Sequence, residues 1–212
     1  MTDNFKFIKE FIQSQFDGQF NSFNDEFYMI EIICRHKDNT NFKDNKFKTY
    51  YIRTIEDLDK YEDEIKTVCD IFNMRAYISV NHKSMKHITL NTVAEYANRV
   101  AHDNFDKPYS LFDSCAAKYV EHSKQLWIVD VDKEYADINN ISIDDLVENY
   151  IKLIESCEPK NKIVAVIPTK SGKHIITNKF NISEFMKHVH NSKQIDEFVK
   201  KNNFTLLYEN IK

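Results

Sequence analysis

The sequence predicts a mixed α+β protein, in which an N-terminal αβ lobe (residues 1–124) packs on a C-terminal lobe (residues 125–212) with the order βαββαβ. Three observations support this prediction. Helical and strand-like hydrophobic periods alternate along the chain, and the second half holds two apolar strands joined by a short turn. The 212 residues, 42% of them hydrophobic and 13% aromatic, are enough to bury a sizeable core. We therefore expect one composite domain of two lobes.

The N-terminal lobe is predicted from six segments. A phenylalanine-rich helix opens it, and two strands joined by the polar loop 36–46 follow. Two further helices show apolar residues at helical spacing, and in the later one we expect Val93, Tyr96, Ala97 and Val100 to face inward. The predicted segments are helices at residues 5–16, 56–72 and 89–102 and strands at residues 28–34, 48–54 and 75–81.

The C-terminal lobe is predicted more clearly, as a split βαβ arrangement. In this topology the first and third strands are central neighbours, so the first strand should lie between the third and the last. Ser142, Asn181 and Ser192 are typical helix caps and mark where the helices begin. The predicted strands are residues 126–131 (LWIVDV), 162–168 (KIVAVIP), 173–177 (KHIIT) and 204–208 (FTLLY).

Two carboxylates stand at the end of the first C-terminal strand. Because strand side chains alternate between faces, Asp130 and Asp132 point the same way, roughly 7 Å apart. Carboxylate oxygens are the ligands that hard divalent cations prefer. The pair therefore predicts a site for Mg²⁺ or Mn²⁺, ions that can bridge protein carboxylates to nucleotide phosphates.

The tight turn before the third strand carries basic residues. Gly172, one of only two glycines in the chain, allows a positive φ or a close backbone approach. Lys170, Ser171, Lys173 and His174 surround it, and such a turn can present N–H groups and cationic side chains to an anion. These five residues are the predicted nucleotide-binding residues, and the predicted ligand is a triphosphate.

Each of these patterns also occurs without a function: paired acids end many solvated strands, a lone histidine is often structural, and such turns are often only turns. Their joint placement on adjacent central strands favours a site. The predicted catalytic residues are Asp130, Asp132 and His174, with the two acids as metal ligands.

At these residues the chain resembles the archaeo-eukaryotic primase superfamily, especially the primase-polymerases of plasmids and viruses. The family's first motif, two hydrophobic residues followed by D-h-D, is matched by IVDVD (128–132). Its second, a short turn that ends in a histidine at the start of a strand, is matched by SGKHIIT (171–177). An upstream strand followed by basic residues is similar to RAYISVNHKSMK (75–86). The resemblance covers roughly residues 70–208.

The resemblance implies an RRM-like catalytic lobe against an αβ lobe, and template-directed nucleotidyl transfer with two metal ions. Carried over by position, Asp130 and Asp132 would hold metal and His174 would contact the phosphates of the incoming nucleoside triphosphate. A cleft-facing role toward single-stranded nucleic acid is implied for four residues: Asn81, His82, Lys83 and Lys86.

One departure from the family concerns the third motif. It supplies another carboxylate near the start of the last strand, where this chain has KNNF (201–204) and no acid. Three interpretations therefore stay open. They are an active primase-polymerase, a non-catalytic descendant in a virus or mobile element that binds nucleic acid, nucleotide or a protein, and another DxD enzyme such as a nuclease or glycosyltransferase.

The composition limits the compartments and the partners that we expect for the protein. The net charge of −4 exerts no overall pull on nucleic acid, so a polyanion would need a local basic patch. No run approaches the roughly 20 apolar residues of a membrane span, and a signal-peptide pattern is not seen. The four cysteines form no CxxC pair, which favours reduced thiols. We expect a cytoplasmic protein without a membrane partner.

Overall fold

The structure is a computed structural model that describes residues 1–16, 20, 25–36, 45–119, 125–138, 140–160, 162–189 and 198–210. Within these ranges the chain has mixed α+β architecture with antiparallel strands in two sheets, which confirms the fold class at that level. No helix in the described ranges combines the length and hydrophobicity that a membrane span requires.

The first sheet contains the N-terminal strands and also the last strand of the chain. Its strands are β1 (Thr2–Asp3), β2 (Glu26–Cys34), β3 (Asn45–Ile52), β4 (Arg75–Ser79), β5 (Lys83–Ser84) and β10 (Phe204–Glu209). They are ordered β1–β10–β4–β2–β3, and β5 pairs with the start of β2. Every pair is antiparallel.

Two helices cover one face of the first sheet. They are α1 (Phe5–Gln15) and α2 (Ile55–Phe72). Alternation along the strands points Ile30 and Ala76 toward this face, where they join the main core. A capping box starts α2, because the Thr54 side chain accepts the Asp57 N–H and the Asp57 carboxylate accepts the Thr54 N–H, each at 3.1 Å.

The second sheet belongs to the C-terminal half. Its strands are β6 (Trp127–Asp132), β7 (Ile163–Pro168), β8 (Gly172–Thr177) and β9 (Val199–Lys200), ordered β7–β8–β6–β9. Its helices are α5 (Lys133–Ile138), α6 (Ile143–Ser156) and α7 (Ile182–Met186). The β6 residues Val129 and Val131 pack toward these helices in a second core. The side chains that alternate with them face the first sheet. The predicted pairing of the first and third C-terminal strands is confirmed.

The predicted position of the final strand is wrong. β6 lies between β8 and the short β9, whereas β10 lies between β1 and β4 in the other sheet. Its residues from Thr205 to Tyr208 are all buried, on both faces. A strand that is buried on both faces suits a central position between covered surfaces, which the first sheet supplies. The boundary predicted between residues 124 and 125 therefore does not separate the two sheets.

The predicted inward face of the third helix is also wrong. This helix, α3 (Met85–Ala101), begins earlier than predicted because Ser84 caps it, accepting the His87 N–H at 3.1 Å. It packs near α4 (Leu111–Lys118) through the buried Ile88, while its predicted inward side chains are solvent-facing. Val93 is 63% exposed, Tyr96 50% and Val100 42%. The apolar period identifies the helix but not the side that has a partner.

Polar side chains join the two sheets. The Asn4 amide donates to the carbonyls of Pro168 and Leu206, both at 2.8 Å. Asn81 bonds the Leu126 backbone in both directions, donating at 3.0 Å and accepting at 2.7 Å. These bonds fix the sheets relative to each other. Residues 192–197 of the helix predicted after Ser192 lie outside the described residues, and so do residues 37–44 of the predicted loop 36–46. The predicted helix is wrong at Val199, which lies in the strand β9.

Candidate functional site

A cavity of about 480 Å³ lies between the two sheets, lined by side chains of both. We call it the intersheet cleft. Its volume is within the range of small-molecule binding sites. All three predicted catalytic residues and two residues of the basic turn lie here. From the second sheet and its turn, the polar lining residues are Asp130, Asp132, Thr169, Lys170, Ser171, His174 and Lys200.

Asp130 and His174 face each other across the two central strands. They are Cα partners in the β6–β8 register, and His174 Nε2 lies 3.3 Å from Asp130 Oδ1. The other ring nitrogen, Nδ1, is 2.9 Å from the hydroxyl of Thr205 on β10. The His174 side chain is 11% exposed and that of Asp130 17%. The histidine is thus fixed on both ring nitrogens, and the acid keeps a small opening to the cleft.

Lys200 is a site residue that the sequence did not predict. It lies on β9 next to β6, and its Nζ forms an ion pair with Asp130 Oδ2. Burial of Asp130 acts to raise its pKa, but the hydrogen bond from His174 and the charge of Lys200 hold that pKa well below its ordinary value. Asp130 is therefore ionised at neutral pH and already has two cationic or donor partners.

Asp132 lies on the same face of β6 as Asp130, as predicted, and Glu31 of β2 lines the opposite side of the cleft. In the part of the chain that the structure describes, no group of three or more His, Cys, Asp or Glu side chains is placed to hold a metal ion. Mg²⁺ commonly binds through one or two carboxylates, with waters and substrate phosphates completing its shell. The two aspartates therefore fit a cation that arrives with a phosphate ligand, and the metal site stays a prediction.

The basic turn is held tightly against β6. The Lys133 N–H donates to Ser171 O at 2.6 Å, and the Thr169 N–H donates to Gly172 O at 2.9 Å. A Cβ on Gly172 would overlap the backbone carbonyl of Val131, so close approach explains the glycine. Lys170 and Ser171 line the cleft as predicted.

Lys173 is placed differently from the prediction that groups it with the nucleotide-binding residues. Strand alternation turns it to the face opposite His174, where its Nζ pairs with Asp144 of α6. It does not line the cleft. The prediction read the turn as one basic cluster, whereas β8 has already begun at Gly172 and separates neighbouring side chains between two faces.

The four residues predicted to contact nucleic acid do not form one surface. Asn81 uses its amide on the Leu126 backbone, and the half-buried His82 ring lies 5.4 Å from the Phe16 ring. Lys83 is only 1% exposed, with Glu31 contributing the opposing charge nearby. Lys86 alone is exposed. Of these four side chains, Lys83 is therefore buried, Asn81 and His82 are partly buried, and Lys86 is exposed.

The first sheet supplies the opposite wall of the cleft. Arg75 is buried there and pairs with Glu209, with Nε and Oε2 separated by 3.3 Å. Arg35 donates to the Tyr77 hydroxyl at 3.3 Å, and Phe204 completes an aromatic edge. The sequence offers one signal for this wall: a charged residue inside an otherwise apolar strand, as in EFYMIEIIC (26–34), points to a polar surface that the strand faces.

Comparison with known proteins finds no match for this chain among protein-family models, curated proteins or solved structures. The resemblance to primases therefore stays a prediction from three short motifs of the sequence.

Proposed function

We propose that the intersheet cleft binds a nucleoside triphosphate together with Mg²⁺ or Mn²⁺ and transfers the nucleotide on a single-stranded nucleic acid, as primase-polymerases do. The observation that carries this proposal is the β6–β8 register. It pairs Asp130 with His174, and both side chains line one cavity with Asp132 and Lys170. Carboxylates beside basic side chains on neighbouring strands match the two parts of a metal–triphosphate complex, since the carboxylates suit its cation and the basic side chains suit its phosphates.

Each side chain has a distinct part in this proposal. Asp130 and Asp132 offer oxygen ligands to the cation. When bound, the cation neutralises phosphate charge and activates the attacking hydroxyl. His174 is held between Asp130 and Thr205, so it orients the Asp130 carboxylate, whereas Lys170 is exposed on the turn and is positioned to attract phosphate oxygens.

The opposite wall offers aromatic side chains on which a base can stack. Tyr77 and Phe204 are half-buried aromatic side chains that line the cleft. Aromatic faces stack on nucleobases with little sequence preference. Arg35, bonded to the Tyr77 hydroxyl, adds positive charge at this edge. A nucleotide with its phosphates on the second sheet and its base toward the first would use both walls.

A second candidate function is binding of nucleotide or single strands without transfer. The ion pair between Lys200 and Asp130 favours it, as does the lack of a group of three metal-ligating side chains among the described residues. Two-metal transfer needs ligands enough to hold both ions about 3.5–4 Å apart. Lys170 and Lys200 would then serve as phosphate ligands in a protein of a virus or mobile element.

Binding and incorporation measured side by side separate these functions. Calorimetry with a non-hydrolysable nucleoside triphosphate and Mn²⁺ reports binding, and primer extension on a single-stranded template reports transfer. The double variant Asp130→Asn with Asp132→Asn should abolish both signals because it removes both carboxylates. Lys173→Ala is the matched control and should change neither, since that side chain lies on the other face.

The His174→Ala variant gives a graded result. Loss of the hydrogen bond that orients the Asp130 carboxylate costs about 1.5–3 kcal/mol, so affinity for the metal–triphosphate complex should fall about ten- to a hundredfold and KM should rise. An unfolding curve for each variant checks that the fold is intact. Tight binding without incorporation under any metal would select the second candidate. Unchanged binding in the double aspartate variant would overturn the first candidate and leave the lysines as the phosphate ligands.

A further inference from the structure

Lys200 occupies the place where a cation would approach Asp130. Its Cα partner on β6 is Ile128, so its side chain rises on the face that also carries Asp130. The ammonium pairs with Asp130 Oδ2, yet the side chain is 28% exposed and lines the intersheet cleft. One residue thus contacts both the acid and the space in which phosphates would bind.

The two partners of Asp130 differ in how readily their side chains can move away from it. His174 is held between Asp130 and Thr205, and its side chain is 11% exposed. Lys200 has a flexible four-carbon stem and three rotatable donors, and a lysine ammonium binds phosphate readily as a point charge. A divalent cation that takes an oxygen of Asp130 would therefore displace Lys200 rather than His174.

We propose that Lys200 moves from Asp130 to the triphosphate when a divalent cation takes its place, so that cation and triphosphate bind the cleft cooperatively. This inference rests on the proposed binding of nucleoside triphosphate. Without phosphate, the displaced ammonium loses Asp130, while Asp132 is a ligand of the cation and Glu31 already pairs with Lys46. With phosphate present, Lys200 exchanges one anionic partner for another, and the phosphate oxygens complete the shell of the cation.

The exchange explains how a site with two carboxylates on β6 would take a cation and nucleotide as one unit. It also makes the coupling reciprocal: the factor by which triphosphate raises cation affinity equals the factor by which the cation raises triphosphate affinity. Couplings of this kind are typically about 5- to 150-fold. Lys200 is accordingly a binding residue that competes with the cation before the nucleotide arrives.

Mn²⁺ titrations followed by the electron paramagnetic resonance signal of the free ion test this exchange, with and without a non-hydrolysable nucleoside triphosphate. In the wild-type chain, the triphosphate should raise Mn²⁺ affinity at least tenfold. In Lys200→Met, Mn²⁺ alone should bind about tenfold more tightly, triphosphate should bind more weakly, and the coupling should fall toward one. Lys201→Met is the matched control, because Lys201 lies over the Trp127 ring and does not line the cleft.

Lys200→Arg keeps the charge and should behave more like the wild type than like Lys200→Met, and Lys200→Gln replaces the methionine variant if that variant does not fold. Unchanged Mn²⁺ affinity in the folded uncharged variant would overturn the exchange. So would full coupling in that variant. A wild-type chain that binds no triphosphate would overturn the proposed function and the coupling with it. The Mn²⁺-only comparison would still show whether Lys200 competes with the cation.

Discussion

The fold treats two regions with predicted site residues differently. The first is the pair of segments 128–132 and 171–177, and the second is the segment 75–86. In the first, Asp130 and His174 lie on one face of neighbouring strands and line an open cavity. In the second, Asn81 bonds the Leu126 backbone of the other sheet and Lys83 is almost wholly buried. A polar residue near a strand end is available to a ligand only where neither the backbone nor the packing has already taken up its side chain.

The largest effect should come from Gly172, a residue of the first region that itself touches no ligand. Gly172→Ala places a methyl group against the Val131 carbonyl, so β8 must move away from β6. We expect a loss of about 3 kcal/mol or more in the free energy of unfolding, at the upper end of overpacking costs. Ser171→Ala, at the exposed neighbour, should stay within about 0.5 kcal/mol. Equal denaturant midpoints for the glycine variant and the wild type would show that β6 and β8 lie farther apart at Gly172 than in this structure.

The buried lysine of the other segment predicts a pH effect. Burial lowers the pKa of Lys83 to about 8, from an ordinary 10.5, despite the charge of Glu31 nearby. The folded state therefore gives up this proton at lower pH than the unfolded state does. As a result, wild-type stability should rise between about pH 8 and pH 10.5 by at most about 3 kcal/mol.

Lys83→Met isolates this contribution because other groups titrate equally in both proteins. The variant should be the more stable protein at pH 7, and its advantage should shrink as the pH rises above 8. Urea unfolding at pH 7, 8 and 9 measures the difference, with the exposed Lys86→Met as control. A difference that does not change with pH would mean that Lys83 keeps its ordinary pKa.

The smallest of these effects, and the most direct test of the contrast, concerns Asn81. Asn81→Ala removes two hydrogen bonds and leaves buried backbone groups of Leu126 without partners, which should cost about 2 kcal/mol of stability. Affinity of the folded variant for single-stranded nucleic acid should not change. Asn91→Ala, on the exposed side of α3, is the control for both measurements. A fall in affinity with full stability would return Asn81 to the predicted nucleic-acid surface.

Much of the candidate site could be predicted because its signals are local. Alternation puts Asp130 and Asp132 on one face, and a βαββ segment with a short turn makes β6 and β8 neighbours. The face to which Lys173 points was not predicted, because the strand begins one residue before it, at Gly172. Lys200 could not be found in the same way, since a two-residue strand leaves no hydrophobic period to detect.

The long-range arrangement could not be predicted from periodicity. The final strand has the same apolar character whether it joins β6 or β4, and only the packing of both its faces decides between the sheets. Likewise Val93 and Tyr96 mark a helix, but nothing in the spacing says that this side of α3 stays open. Local patterns define elements and faces, and competition among tertiary partners decides what covers them.

The strand β10 also has a consequence for synthesis of the chain. Thr2 bonds Glu209, a partner 207 positions away, and β10 fills the space between β1 and β4. The first sheet is thus completed only after nearly all of the described chain has been translated, and contacts at such separation slow folding. Until then β4 has an open edge, the kind of surface that pairs with other nascent chains. The time from β4 to β10 on the ribosome sets how long aggregation competes with folding.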